Sequence, residues 1–417
     1  MSDIKDSSQK EKDEPLINQE NKNNLETSEK TKKIILLTLI PSLILMMIIS
    51  FIIAIKIDNN VNENTEDDDS DTKENYVSLK FSEDDRVEVR IINWKYVDLI
   101  SSIKVDGIII SKISEYLSFN LSGTHTVELS FKKPLNSTAQ MFEYCLKLTE
   151  VDLSNFNTKN LINIEEMFFG CETLTSVNFN NFDTKKVTSM KGLFFGCTLL
   201  NSIDLRNFDT SNVIDMSNMF NGCDGLINID IDKNKFKTSK VKNMYRMFYN
   251  CYSLQKVDVS NFDTKNVENM EGMFSLCCNL NNINIKNFDT SKVTDMSYMF
   301  GANFYLSSID LSNFNTNNVN KMINMFYACE SLTSLNLSNF DTSKVEYMGE
   351  IFGKCTNLKI IDIRKFNNFG LKEKKNIFTE INSKGIIYYN SKIFDINLYN
   401  YSLENWTLVD ITKGTKL

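Results

Sequence analysis

Three residue types in this chain could do chemistry: one histidine, nine cysteines and a set of evenly spaced acids. His125 is the single histidine, and its setting in Gly123 to Thr126 suits a turn better than a catalytic base. Eight cysteines, Cys145, Cys171, Cys197, Cys223, Cys251, Cys277, Cys329 and Cys355, share one register, with Cys278 outside it. Such a column is either a buried thiol ladder, free cysteine being among the most buried residue types, or a series of neighbours within disulfide reach. Nine cysteines cannot all pair. Metal binding needs ligands converging on one point, which a linear column with one histidine does not supply. A third column, Asp152, Asn178, Asp204, Asp230, Asp258, Asn284, Asp310, Asn336 and Asp362, sits between two apolar residues in successive segments. Its carboxylates, about 5 Å apart if the segments stack as strands, would form a negative stripe able to meet a basic partner or cations. The alternative is a solvated face kept soluble by acid. No phosphate loop, dinucleotide fingerprint, nucleophile elbow or basic patch of a nucleic-acid reader is present, so neither an enzyme, a cofactor nor a nucleic-acid partner is expected.

The element that must position these columns is a repeat. Phenylalanine recurs every 26 residues, with one 28-residue step, at Phe142, Phe168, Phe194, Phe220, Phe248, Phe274, Phe300, Phe326, Phe352 and Phe378. In the copy at Asn287 to Leu311, Val293, Met296, Met299 and Phe300 fall at the spacing of one helical face. Asp289 and Thr290 precede that run as candidate caps for the free N–H groups of a first turn. The copy ends in Ile309-Asp310-Leu311, an alternation that suits a short strand. The expectation is an α/β solenoid, a leucine-rich-repeat array of one short parallel strand and one short helix per repeat, with a sheet of nine strands on the order of 40 Å long. The methionine column from Met190 to Met348 is read as core, and the asparagine column from Asn155 to Asn339 as side-chain to backbone hydrogen bonds. The two extra residues of the long step fall in Asp232 to Lys235, read as a bulged loop.

The string N-F-D-T-S-K-V-T-D-M-S-Y-M-F at Asn287 to Phe300, followed in most copies by C-x-x-L-x-x-[IV]-x-L, resembles the BspA-type leucine-rich-repeat surface proteins in their 26-residue, Mycoplasma-type form. The resemblance covers about 139–378. It departs from the pattern at Asn303 in the cysteine position, at Lys235 and Lys237, and in a degraded last copy from Lys365 to Phe378. The resemblance implies display on a cell surface and binding of extracellular protein or matrix ligands, with no shared catalytic residue to carry over.

Outside the array, the uncharged run Ile34 to Ile55 is 22 residues, enough to cross a hydrocarbon core of about 30 Å as a helix. Pro41 would kink it, and a cleaved leader is the poorer reading because 33 residues precede it. Lys30, Lys32 and Lys33 before the run place the N-terminus in the cytoplasm and the repeats outside or in a lumen. Asp58 to Asn75 holds eight acids and one lysine, so most of the net charge of −8 belongs to this stretch, a solvated stalk. A calcium loop is the sharper reading of Asp67, Asp69 and Asp71, but Thr72 stands where glycine is needed. The expected order is a disordered cytoplasmic tail 1–33, a transmembrane helix 34–56, the stalk 57–75, a β-rich N-terminal cap 76–138, repeats 139–378 and a C-terminal cap 379–417. Function follows as surface binding, with a self-associating coat or lumenal scaffold as the alternative and a type II membrane enzyme as a remote one. Sequons at Asn120, Asn136, Asn336 and Asn405 would carry glycans only on a eukaryotic secretory route.

Overall fold

A computed structural model describes residues 75–83, 88–119, 121–372, 376–398 and 403–413. The tail, the apolar run and nearly all of the acidic stretch lie outside the described residues. Among the described residues, no helix is long and apolar enough to cross a membrane.

The first strands are β1 (Tyr76–Glu83), β2 (Glu88–Arg90), β3 (Ile100–Val105), β4 (Ile108–Ile110), β5 (Tyr116–Ser118) and β6 (Gly123–Phe131), with a 3-10 turn at Trp94–Leu99. They are followed by β7 (Leu148–Asp152), β8 (Ser176–Asn178), β9 (Ser202–Asp204) and β10 (Asn228–Asp230). The last are β11 (Ser334–Asn336), β12 (Ile360–Asp362), β13 (Gly385–Tyr389) and β14 (Trp406–Asp410). In the first sheet, of order β4-β3-β6-β1-β7-β8, β1 pairs antiparallel with β7, the first strand of the array, and β7 pairs parallel with β8. The N-terminal strands thereby cover the open end of the first coil. Asn93 N–H donates to Met141 O at 2.8 Å and the Tyr96 hydroxyl to Ala139 O at 2.8 Å, filling acceptors that a preceding coil would otherwise have used. At the other end β12, β13 and β14 continue as parallel strands, and Trp406 Nε1 donates to Asn382 O at 2.9 Å.

The repeats form a solenoid with one buried core. Val293, Met296, Met299 and Phe300 are all fully buried, as are the corresponding residues of the methionine column. Successive phenylalanine rings stack, with centroids 5.5 Å apart for Phe168 and Phe194 and 5.6 Å for Phe220 and Phe248. A non-polar column of this kind cannot close within one coil, so each unit is stable only against its neighbours.

The helical half of the expectation is corrected by the backbone: among the described residues the segments around these phenylalanines are tight turns, with no α-helix. Hydrogen bonding shows why. Met299 N–H donates to Met296 O and Gly301 N–H to Tyr298 O, both within the coil. The N–H groups between them reach the next coil instead, Tyr298 to Ile323 O at 2.8 Å, Phe300 to Met325 O at 3.0 Å and Ala302 to Tyr327 O at 2.6 Å. Alternation of this kind requires left-handed residues two before and two after each phenylalanine, and Tyr298 (φ 58°) and Ala302 (φ 57°) show the pattern. In early coils the second site is glycine, and Gly170 (φ 68°) lies beneath the Tyr144 ring, which a β-carbon would strike. Non-glycine residues hold the same conformation later, including Leu276 and Lys354, at a local cost of about 1–2 kcal/mol each that the inter-coil bonds offset.

Thr290, expected as a helix cap, is a clip between coils. Its buried hydroxyl donates to Asn315 O at 2.9 Å and accepts from Asn315 N–H at 2.8 Å. Thr264 and Thr342 repeat the arrangement, and Asn368 replaces it in the last coil by donating to Asp395 O and accepting from Asp395 N–H. Asp289 accepts from Ser291 N–H at 2.9 Å, closing a turn two residues on.

The strand half is realised in six coils, β7 to β12. Segments 254–259, 280–285 and 306–311 form no strand, so the expected continuous sheet is interrupted between β10 and β11, and it is broken once more between β8 and β9. Val257, Ile283 and Ile309 are only partly buried there, whereas Ile203 and Leu335 are 3% and 2% exposed. On another wall a parallel bridge column runs without interruption from Ser137↔Asn163 to Lys321↔Tyr347. The two additional residues of the long step form a turn in which Lys235 and Phe236 N–H both donate to Asp232 O.

All nine cysteines are free thiols. Seven of the eight in the column, all but Cys145 of the first coil, donate to the phenylalanine carbonyl of the preceding coil, as Cys171 does to Phe142 O at 3.0 Å and Cys329 to Phe300 O at 3.0 Å. Asn303 fills the vacant place with the same bond, Nδ2 to Phe274 O at 2.8 Å. Burial pushes the Cys171 and Cys355 thiols up to about 12, against nucleophilic chemistry.

Two outcomes are expected. Thr290→Val should cost about 1 kcal/mol, because it removes the partner of the part-buried Asn315 N–H and carbonyl, and Thr290→Ser should restore most of it; equal melting of Thr290→Val and the parent would remove the clip. A disulfide-exchange reagent at pH 8 should leave the eight column thiols unlabelled in the folded protein and modify at most Cys278, which is half-buried, with all nine reacting after denaturation.

Candidate functional site

The acid and amide column lies along the strand wall, and most of its members point outward as the alternation requires; Asp362, 9% exposed, does not. Each side chain first serves its own backbone. Asp152, Asn178, Asp204, Asp258, Asn284, Asp310, Asn336 and Asp362 accept from the N–H two residues on, as in Ser154 to Asp152 at 2.8 Å and Ser338 to Asn336 at 3.1 Å. Asp230 instead accepts from Asn228 Nδ2 at 2.7 Å.

Four of the six carboxylates are also ion-paired. Arg206 forks onto Asp204, with Nε to Oδ1 at 2.9 Å and Nη2 to Oδ2 at 2.6 Å, and Arg364 forks onto Asp362 in the same way. Lys233, from the long step, reaches Asp258 at 2.7 Å, and Lys286 reaches Asp310 at 3.9 Å. The Lys233 and Ser260 bonds hold Asp258 at about 2, and the Arg206 bond lowers Asp204. The column is therefore a ladder in which four carboxylates are matched to a nearby cation and two to an asparagine amide, Asp152 to Asn178 Nδ2 at 3.1 Å and Asp230 to Asn228 Nδ2. Lys233, Arg206 and Arg364 were missed in sequence because they belong to other positions of the repeat; an Arg two residues after an acid at Asp204 and Asp362 was the available signal.

Two hollows open on the surface. One, of about 820 Å³, is lined by Lys292, Thr294, Asn318, Asn320, Lys344 and Glu346, the polar residues flanking the buried valines of three coils. The other, of about 280 Å³, lies at Asn282 to Lys286 and Asp310, where the strand ladder is open. Among the described residues no group of three or more His, Cys, Asp or Glu is placed to hold a metal ion.

His125 sits in the N-terminal cap, on β6. Its Nδ1 lies 2.8 Å from Asp106 Oδ2 and its Nε2 2.8 Å from Leu121 O, with the ring stacked on Phe119 at 4.2 Å. Both ring nitrogens face acceptors, so both are satisfied only when the ring carries two N–H groups. The Asp106 bond accordingly raises His125 above its ordinary 6.5 and lowers Asp106 below its ordinary 3.8.

The array begins where the parallel bridges do, at Ser137. A family model described as "Mycoplasma protein of unknown function, DUF285" matches residues 136–256, 224–309 and 303–412, which together span the coils and the C-terminal strands. The chain belongs to this family. Membership agrees with the BspA-type resemblance of the repeat motif. A solved structure of a leucine-rich cell surface protein from Faecalibacterium prausnitzii A2-165 is 14% identical, covers 64% of this chain and 79% of its own, and has a TM-score of 0.34. No curated protein matches the sequence. Within this DUF285 chain, the matched region holds all nine members of the acid and amide column, whereas His125 lies before it.

The His125 geometry fixes a pH window. A raised histidine contributes stability that is present below about 6.5 and lost as pH rises through the folded value; a lowered Asp106 contributes above about 3.8 and loses it as pH falls through its own value. Proton NMR of the His125 ring should show a titration above 6.5 that returns toward 6.5 in Asp106→Asn; a native midpoint at or below 6.5 would exclude the doubly bonded imidazolium.

Proposed function

We propose that the chain is a cell-surface binding protein, anchored by the apolar run Ile34 to Ile55 with its N-terminus in the cytoplasm, that presents the solenoid to an extracellular protein or matrix ligand. The observation that carries this reading is the contrast between the two sides of every coil. Inward positions repeat the same residue types: Met270, Met296 and Met322 are buried, as are Phe274, Phe300 and Phe326, and Thr264, Thr290 and Thr316. Outward positions change from coil to coil. The exposed place after each buried valine is Thr188, Ile214, Lys242, Glu268, Thr294 and Asn320 in succession. A rigid backbone with a variable surface suits recognition over a long face, and the family has no shared catalytic residue to place on it. Membrane anchoring is supported by the length and lack of charge of the apolar run and by the lysines before it.

A self-associating coat is the second reading. The outer edge of β14 is the last strand of its sheet, with no further strand beside it among the described residues, and edge strands are templates for pairing with another chain.

Intact cells expressing the protein with a tag after Leu417 should lose the tag on protease treatment from outside. Full protection of the tag, with cleavage only after permeabilisation, would sink the surface reading and leave the lumenal scaffold.

A further inference from the structure

On the N-terminal half of the array, the corner between the strand wall and the bridge wall collects lysines from three of four successive coils. Lys159, Lys185, Lys186, Lys237, Lys240 and Lys242 are all exposed. Among the described residues only Lys242 has a carboxylate partner, Glu268 at 3.8 Å.

The other ammonium groups are held by neutral acceptors or not at all. Lys186 Nζ donates to Lys159 O at 3.0 Å, Lys237 Nζ to Lys233 O at 3.0 Å and Lys240 Nζ to Asn212 Oδ1 at 2.6 Å. Each bond uses one of three N–H donors and leaves the charge uncompensated. Asp183 and Asp209 stand among them, accepting from Lys185 N–H at 2.9 Å and Ser211 N–H at 3.0 Å, and Asp215 accepts from Ser217 N–H at 2.7 Å and Asn243 Nδ2 at 3.3 Å, so six lysines face three carboxylates. Lys185 and Lys235 lie close enough to Asp209 to favour its ionised form. At the matching positions of the next four coils Lys265, Lys292 and Lys344 stand against Asp263, Glu268, Asp289, Asp341 and Glu346, so the excess of cations is confined to the earlier coils.

We propose that this lysine corner binds a linear acidic polysaccharide lying along the solenoid axis. The lysines stand on the first, second and fourth of four stacked coils, with Ser211 and Asn212 on the third, so their spacings are multiples of about 4.8 Å, a pitch that a polymer with regularly placed acid groups can match. Between them stand hydroxyl and amide groups, Thr188, Ser211, Asn212 and Ser239, suited to sugar hydroxyls. Ile162 and Ile214, 44% and 46% exposed, offer apolar contact to the C–H faces of sugar rings. The six lysine positions and these interleaved residues include no aromatic side chain, so base stacking, the usual second component of single-strand nucleic-acid binding, is missing. A uniform phosphate track would answer only the lysines and not the groups between them.

The proposal deepens the binding reading above and rests on it, but not on membrane topology. The full chain, purified in detergent micelles and immobilised through a tag after Leu417, is titrated at low salt with dextran sulfate, polygalacturonate, neutral dextran and duplex DNA. One or both acidic polysaccharides should bind, neutral dextran should not, and binding should weaken as salt rises. The two acidic polymers tell a sulfate-bearing from a carboxylate-bearing source. Lys186→Gln, Lys240→Gln and Lys242→Gln together should weaken binding about 30-fold or more, with the melting temperature unchanged. Lys292→Gln with Lys344→Gln should change it by less than about threefold, and Lys186→Arg with Lys240→Arg should retain it. Binding of neither acidic polymer, equal effects of the two Gln sets, or equally tight binding of duplex DNA would each overturn the proposal. An external tag in the shaving experiment together with failure here would leave the surface reading standing and remove only this ligand class.

Discussion

The whole array depends on a division of labour among backbone N–H groups. Around each inward phenylalanine, one amide closes its own turn and the next bonds the following coil, as Met299 and Phe300 do. A helix would direct every amide back into its own segment and leave nothing to join one coil to the next. The alternating pattern cross-links the coils at the place where the side chains are largest and most buried. It also explains why left-handed residues are held at Tyr298 and Ala302, where their intrinsic preference is against it. Threonine clips and the cysteine-to-carbonyl bonds reinforce the same coil-to-coil linkage by satisfying polar atoms that burial would otherwise leave unpaired.

Much of this was legible in sequence because the period is a long-range signal written in short-range spacing. The inward phenylalanine, methionine, valine and cysteine columns are buried as their recurrence implied. The conformation joining them was not legible. Val293, Met296, Met299 and Phe300 are spaced as on a helix, but a chain of three-residue turns places the same residues inward, and the deciding bonds run to residues about 25 positions away. Thr290 shows the same limit: at the start of a supposed helix it looks like a cap, and only the next coil reveals its partners. The interrupted strand wall had no signal, since segments 282–285 and 334–337 alternate apolar and polar residues alike.

Charge was read well in bulk and poorly in place. The acid column is where alternation put it, but Arg206, Lys233, Lys286 and Arg364 turn it from a negative stripe into a row of local pairs. Conversely, Lys233 to Lys242 holds five lysines and no acid in ten residues, but only stacking adds Lys159, Lys185 and Lys186 to them as one corner. Surface charge in a solenoid is written across coils, at right angles to the chain.

The two walls also differ in how they join the coils. Parallel bridges run unbroken from Ser137 to Tyr347 on one, whereas the strand ladder on the other is open between β8 and β9 and across three coils between β10 and β11. Bending stiffness is therefore directional: the bridged wall keeps its length, and flexure is taken up by widening the strand wall near Ile283. Shear or tension transmitted along the array would concentrate where the ladder is open, most of all across the three coils around Ile283.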